Sequence, residues 1–171
     1  MDPASLNPNF KEFFESLNSA GVKYLLLGGY AVNYYGYHRA TDDLDIWIAL
    51  DKENAARLSE VMRKFGGFRA SDVPPSLFLQ KGKVFVFGRE PVRIDILTGP
   101  SGIDFQECYA RRQETTWDGV RVPIISLEDL RANKKASARA KDLADLEVLP
   151  TQLGSSSRRR APKKGRRRPS S

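Results

Sequence analysis

Apolar residues recur along this chain with two different periods, and each change of period marks an element. Phe10, Phe13, Phe14 and Leu17 recur at helical spacing behind Asn7-Pro8 and predict an amphipathic first helix that ends near Gly21. The apolar run from Val22 to Leu27 is short enough for a buried strand and breaks at Gly28-Gly29. Ala31 to Tyr35 predict a short helix stopped by Gly36, and Asp43-Leu44-Asp45-Ile46-Trp47-Ile48 alternates as a second strand. Ala55, Leu58, Val61, Met62 and Phe65 share one side of a helix over Asn54 to Phe65, which Gly66-Gly67 stop. Val84 to Phe87 and Val92 to Leu97 flank Gly88-Arg89-Glu90-Pro91, the composition of a short loop between antiparallel strands. A helical turn is expected over Asp104 to Arg111, and a smaller hairpin from Glu114 to Ile125 around Asp118-Gly119. Ser126 followed by Asp129 is a capping signal for a helix from Leu127 into Lys135 or beyond. A final helix carrying Leu143, Leu146 and Leu149 ends at Pro150. No internal repeat is present.

Composition changes this picture at the C-terminus. The 171 residues suit about one domain, and 40% hydrophobic with 29% charged residues suffices for a packed core. Ser155 to Ser171 hold eight of the 28 Lys and Arg and no acid, so the remaining 20 cations face 21 acids and the folded part carries a charge of about −1. Residues from Gly154 onward lack apolar periodicity and are expected to be disordered when unbound. The organisation expected is thus a folded unit over 1–153 and a basic tail over 154–171. No apolar run approaches the roughly 18 residues that cross a bilayer, and MDPASLNPNF lacks the basic start and apolar stretch of a signal peptide. No membrane partner and a cytoplasmic location are expected. Cys108 is the only cysteine, which excludes an internal disulfide and a four-thiolate metal site. Any metal would be held by oxygen or imidazole.

Candidate chemistry concentrates in two short segments. Thirteen residues separate Gly29 from Asp43-Leu44-Asp45-Ile46. In a strand, Asp43 and Asp45 point to one face while Leu44 and Ile46 point to the other. Two carboxylates then share a small volume, and like charges so close destabilise each other unless a cation sits between them. Magnesium prefers hard oxygen ligands and is often held by one or two carboxylates with substrate phosphates. Arg93-Ile94-Asp95-Ile96-Leu97 inserts a further carboxylate between isoleucines, and a lone buried carboxylate needs a partner. If its strand lies beside that of Asp43 and Asp45, the three acids can hold two magnesium ions about 3.5 to 4 Å apart, as in in-line phosphoryl displacement. The Gly28-Gly29 turn at a helix start supplies unblocked N–H groups and a positive helix end for a phosphate.

Gly28-Gly29, the spacing, and Asp43-Leu44-Asp45-Ile46 resemble the signature of the nucleotidyltransferase superfamily that includes polymerase-beta-like enzymes, with Asp95 in the place of its third carboxylate. Ile125-Ser126-Leu127-Glu128-Asp129-Leu130, then Lys134, Arg139, Lys141-Asp142 and Asp145, resemble the end of small bacterial proteins related to AbiEii-type toxins and abortive-infection nucleotidyltransferases. The resemblance covers about Tyr24 to Leu149. It implies the minimal α/β nucleotidyltransferase fold, a mixed and mostly antiparallel sheet flanked by helices. It also implies a nucleoside triphosphate such as ATP as donor, magnesium, and release of pyrophosphate. By position, Asp43 and Asp45 would bind metal and triphosphate, and Asp95 would help activate the acceptor hydroxyl. Lys134, with Asp142 or Asp145, matches a lysine and an aspartate that serve the site in the toxin relatives, although Lys135 is also near that register. Many superfamily members have serine where this chain has Gly29, so phosphate contacts there would be backbone only.

Blander readings stand beside these. Arg39 and Thr41 precede the acidic strand and suit either phosphate contacts or a salt bridge and loop hydrogen bond. Asp42 is expected on the opposite side from Asp43. His38, the only histidine, reads as structural, since metal-assisted transfer does not require it. Tyr30, Tyr34, Tyr35 and Tyr37 read mostly as packing residues, Arg111 and Arg112 as solvated, and Cys108 as a small core residue. The tail is either a phosphate-binding arm or a solubilising extension. The reading adopted is a magnesium-dependent nucleotidyltransferase acting on an acceptor hydroxyl, with RNA or a tRNA end favoured by the toxin-like motif and the tail. A toxin-antitoxin or abortive-infection role follows from the same resemblance, and a cognate protein partner or homodimer is expected to supply the acceptor surface, since so short a chain shows no separate acceptor-binding domain. The alternatives are a non-catalytic nucleotide- or RNA-binding module and an enzyme that modifies a partner protein or a small antibiotic-like molecule.

Overall fold

The computed structural model describes residues 6–36, 40, 41 and 43–153. Its strands are β1 (Tyr24–Leu27), β2 (Asp43–Ile48), β3 (Val84–Arg89), β4 (Val92–Leu97), β5 (Gln113–Trp117) and β6 (Val120–Ile124). Its helices are α1 (Pro8–Ser19), α2 (Gly28–Tyr34), α3 (Lys52–Gly66), α4 (Phe105–Ala110), α5 (Leu127–Ser137) and α6 (Ala140–Val148), with a 3-10 turn at Pro75–Leu79. The strands form one mixed sheet in the order β3-β4-β2-β1-β6-β5. Three neighbour pairs are antiparallel, and β2 with β4 and β1 with β6 are parallel. This is the mixed, mostly antiparallel sheet flanked by helices that the superfamily motif implies.

Local chemistry explains most boundaries. Asn7 caps α1 by accepting the Asn9 N–H at 2.9 Å, and Pro8 fits the first turn, where an N–H has no partner. Phe13, Phe14 and Leu17 of that helix are fully buried, each worth roughly 1.5 to 3 kcal/mol of apolar transfer. Asp51 caps α3 through the Asn54 N–H at 2.8 Å, and Gly67 ends it in the left-handed region. Ser126 caps α5 by accepting the Asp129 N–H at 3.1 Å. The β1 strand lies mid-sheet with all four residues buried, as a continuous apolar run requires. Tyr30 packs edge-on against Phe10 at 5.8 Å, the Tyr35 hydroxyl donates to the Ile125 carbonyl at 2.6 Å, and Cys108 is buried in the core.

The structure differs from the pattern in several places. Helix α2 begins at the glycine pair itself, and β3 continues through Gly88-Arg89, so the hairpin turn contracts to Glu90-Pro91. The 3-10 turn has no clear signal, yet it drives Phe78 fully into the core beside Phe85 and Phe87. At α6 the leucines divide: Leu143 is half exposed and Leu149 is buried, while Asp142 and Asp145 also turn inward and are buried. Arg111 and Arg112 are not merely solvated, since Arg111 grips Asp129 through two nitrogens and Arg112 lies over the Tyr109 ring at 4.0 Å. The tail beyond 153 lies outside the described residues, and no helix among those described is long and apolar enough to cross a membrane.

Buried Asn54 ties α3 to the sheet. Its side-chain oxygen accepts the Lys23 N–H at 2.7 Å, and its amide nitrogen donates to the carbonyls of Lys23 at 3.0 Å and Ala49 at 2.9 Å. Asn54→Ala leaves three main-chain groups without these bonds and is expected to cost roughly 2 to 4 kcal/mol. Urea unfolding of both proteins measures the loss.

Candidate active site

Parallel pairing of β2 with β4 sets Asp43 opposite Arg93 and Asp45 opposite Asp95. Alternation along each strand then turns all four side chains to one face, while Leu44 and Ile46 turn to the other and are fully buried. The three acids expected to meet are therefore neighbours. Arg93 stands among them. Its Nε and Nη2 donate to Asp95 at 2.9 and 3.0 Å, and its Nη1 lies 3.8 Å from an Asp43 oxygen. Asp45 has no such ion pair among the described residues. Burial, then the charges of Asp95 and Asp43, push its carboxyl up to about 6 against the pull of Lys141 and Lys134.

The glycine pair borders the same carboxylate. Leu27, the last residue of β1, is opposite Asp45, and Gly28 has φ +66°. A Cβ on Gly28 would stand 1.8 Å from an Asp45 oxygen, so only glycine lets the chain pass here. Gly29 follows, buried, in the first turn of α2.

Cations reach this face from α5 and α6. Lys134 is 3% exposed. Its Nζ lies 3.2 Å from Asp142 and 3.0 Å from Asp145, both buried. Burial by itself would raise the Asp142 carboxyl, but hydrogen bonds from Arg139 and Lys134 overcome this and hold it below its ordinary value. Asp142 also accepts the Arg139 N–H at 3.2 Å, and Arg139 Nε at 2.7 Å. Lys134, Lys141 and Arg139 all interact electrostatically with Asp45, so the α5–α6 corner belongs to the same site. Of the two adjacent lysines, Lys134 is buried at this corner and Lys135 is exposed.

Thr41 donates to the Asp43 carbonyl at 3.4 Å, a loop hydrogen bond at the edge of the site. Arg39, with Tyr37, His38 and Asp42, lies outside the described residues. Sequence reasoning gave no role to Arg93 or Lys141. The alternation that grouped Asp43 with Asp45 also places Arg93 two residues before Asp95, which was the available signal. Among the described residues no group of three or more His, Cys, Asp or Glu side chains is arranged as a ready-made metal cage. The donor set nevertheless suits a hard cation: carboxylate oxygens on one face, with no ion pair to Asp45 among the described residues.

The arrangement can hold a dication and a polyphosphate between the acids and the α5–α6 cations. Comparison with known proteins gives the fold and the family. No curated protein matches the chain at a significant level. A candidate nucleotidyltransferase of Thermotoga maritima is 16% identical, with TM-score 0.52, over 81% of this chain and 88% of that one. The lincosamide antibiotic adenylyltransferase LnuA, solved with lincomycin bound, is 17% identical with TM-score 0.50, over 84% and 96% of the two chains. The antibiotic-resistance factor ANT(2'')-Ia is 13% identical with TM-score 0.53, over 81% and 79%. At such identities these likenesses speak for the fold. The sequence model of the aminoglycoside-2''-adenylyltransferases matches residues 9–149. The chain therefore belongs to the aminoglycoside-2''-adenylyltransferase family and is a nucleotidyltransferase.

Proposed function

We propose that the protein transfers a nucleotidyl group from a nucleoside triphosphate to a hydroxyl of a small antibiotic-like molecule, with magnesium held by Asp43, Asp45 and Asp95. The observation that carries this reading is the pairing of Asp45 with Asp95 beside a glycine whose backbone abuts the Asp45 carboxylate. The small-molecule acceptor is supported by the family and by the names of the relatives, which modify antibiotics. It replaces RNA as the favoured acceptor, because the matching family and the named adenylyltransferases concern antibiotics.

In this reading the acceptor oxygen bonds to the α-phosphorus as the bond to the pyrophosphate oxygen breaks, and pyrophosphate leaves. Bound magnesium would supply charge neutralisation on the phosphates. Asp95 orients the acceptor hydroxyl and takes its proton on a carboxylate oxygen. The N–H groups of Gly28 and Gly29 donate to phosphate oxygens. Lys134 brings a fixed positive charge to the triphosphate, oriented by Asp142 and Asp145. Its low exposure keeps that charge from wandering into solvent.

Incubation with each α-labelled triphosphate, magnesium and separate pools of aminoglycosides, lincosamides and total RNA tests the assignment. Label is expected on a small molecule, with pyrophosphate released. Asp43→Ala, Asp45→Ala and Asp95→Asn should each lower the rate by at least about 100-fold. Transfer that survives these changes removes the acids from the reaction, and label on RNA alone reassigns the acceptor.

The raised Asp45 carboxyl makes a second expectation. Its folded value of about 6 exceeds the ordinary 3.8, so between these pH values the folded state holds the proton more tightly. Stability from this group therefore falls as pH rises through that window, and the cost is complete above about pH 6. Without divalent cations, Asp45→Asn should be more stable than the parent at pH 7.5 by roughly 1 to 3 kcal/mol. Urea titrations from pH 7.5 to 4 should show the gap closing at the acid end.

A further inference from the structure

Arg93, Arg111 and Arg139 each donate hydrogen bonds to a carboxylate from two nitrogens, and their settings differ. Asp129, held by Arg111, also accepts the Ser126 hydroxyl at 2.8 Å and the pair belongs to the cap of α5. Asp142, held by Arg139, also accepts the Arg139 N–H at 3.2 Å and faces Lys134. Those pairs are bound into the main chain at helix ends. Asp95 has no comparable support: among the described residues its hydrogen bonds come from Arg93, at 2.9 and 3.0 Å. The same guanidinium faces Asp43 at 3.8 Å, and the Arg93 side chain is 34% exposed against 9% for that of Asp95. It can leave toward solvent without breaking a cap or a strand pairing.

We propose that Arg93 is the resident counter-ion of the acidic face, holding Asp43 and Asp95 in the free protein and yielding them to the divalent cation that accompanies the nucleotide. The inference rests on reading Asp43, Asp45 and Asp95 as the cation's ligands. Three carboxylates on one sheet face repel one another, and a guanidinium reaching two of them offsets that repulsion. Oxygens engaged by its N–H groups are withheld from any other cation. Asp45, which Arg93 does not hold, is left as the point of first attachment. The exchange replaces one positive charge by two, and so takes the three acids from a net charge of −2 to −1. Arg93 thereby makes cation binding weak in the absence of nucleotide, a gate on when the site loads rather than a catalytic group.

The test measures Mn2+ binding to the full chain without nucleotide, from the electron paramagnetic resonance signal of the free ion. Arg93→Met keeps the stem and removes the charge, and is expected to bind Mn2+ at least about tenfold more tightly than the parent. Arg93→Lys keeps the charge but loses the two-pronged grip, and should fall between them. Adding Asp45→Asn to Arg93→Met should abolish the gain, which ties it to this site. Equal or weaker binding by Arg93→Met overturns the proposal, and if that variant is unfolded by circular dichroism, equal or weaker binding by Arg93→Lys does so. Absence of Mn2+ binding by parent and variants, even with ATP present, removes the cation-ligand reading itself and this proposal with it. Mn2+ bound equally by all removes only the role of Arg93.

Discussion

Parallel pairing of β2 with β4 sets Asp45 beside Asp95 and Asp43 beside Arg93, and much of the surrounding structure serves to make that crowding tolerable. Parallel neighbours cannot be joined by a tight turn, so the chain between them must make a long crossover. Here that crossover contains α3, the 3-10 turn and β3. Its anchorages, the Asn54 hydrogen bonds and buried Phe78, lie far from the acids in sequence and still determine whether the two strands align. A slip of one residue would send Asp95 to the opposite face and an isoleucine to the site.

Charge around this face is arranged in layers. Arg93 neutralises the acids from within the sheet, and Lys134 acts from α5 while itself being held by Asp142 and Asp145. A buried lysine without acids would be costly, and buried acids without a lysine equally so. The α5–α6 corner is thus a self-contained ionic unit with its own balance, which presents positive charge to Asp45 without depending on Asp45 for stability. The site is still not balanced: burial first, and then the charges of Asp95 and Asp43, push Asp45 up to about 6. That residual imbalance is what a cation with a polyphosphate would relieve.

The antibiotic-modifying relatives share this fold at low identity, and the family membership rests on the sequence match over residues 9–149. The exposed Val84 and Val86 of β3 lie on the face of Asp95, because Val86 pairs with Asp95 and Val84 with Leu97. Beside them a cavity of about 330 Å³ is lined by Lys83, Leu97, Asn133 and Arg139 among others.

Elements with a strong period were legible in advance: α1 and α3 from their apolar faces, β2 from strict alternation, and both hairpins from their turn residues. The acidic residues of the site were legible for the same reason, because alternation alone places Asp43 with Asp45 and makes a charged Asp95 in an apolar strand conspicuous. Helix α6 was legible as a helix ending at Pro150, but not which side turns inward, because Lys134 on the preceding helix draws Asp142 and Asp145 in. By itself, then, the sequence determined the elements, the glycine turn and the chemical type of the site, all of which depend on neighbours a few residues apart. Only the tertiary structure decided that Arg93 sits among the acids, that Lys134 rather than Lys135 is buried, and that Gly28 abuts Asp45. Those outcomes depend on strand register and helix docking, which bring together residues of separate elements, and of them only Arg93 left a local trace, two residues before Asp95.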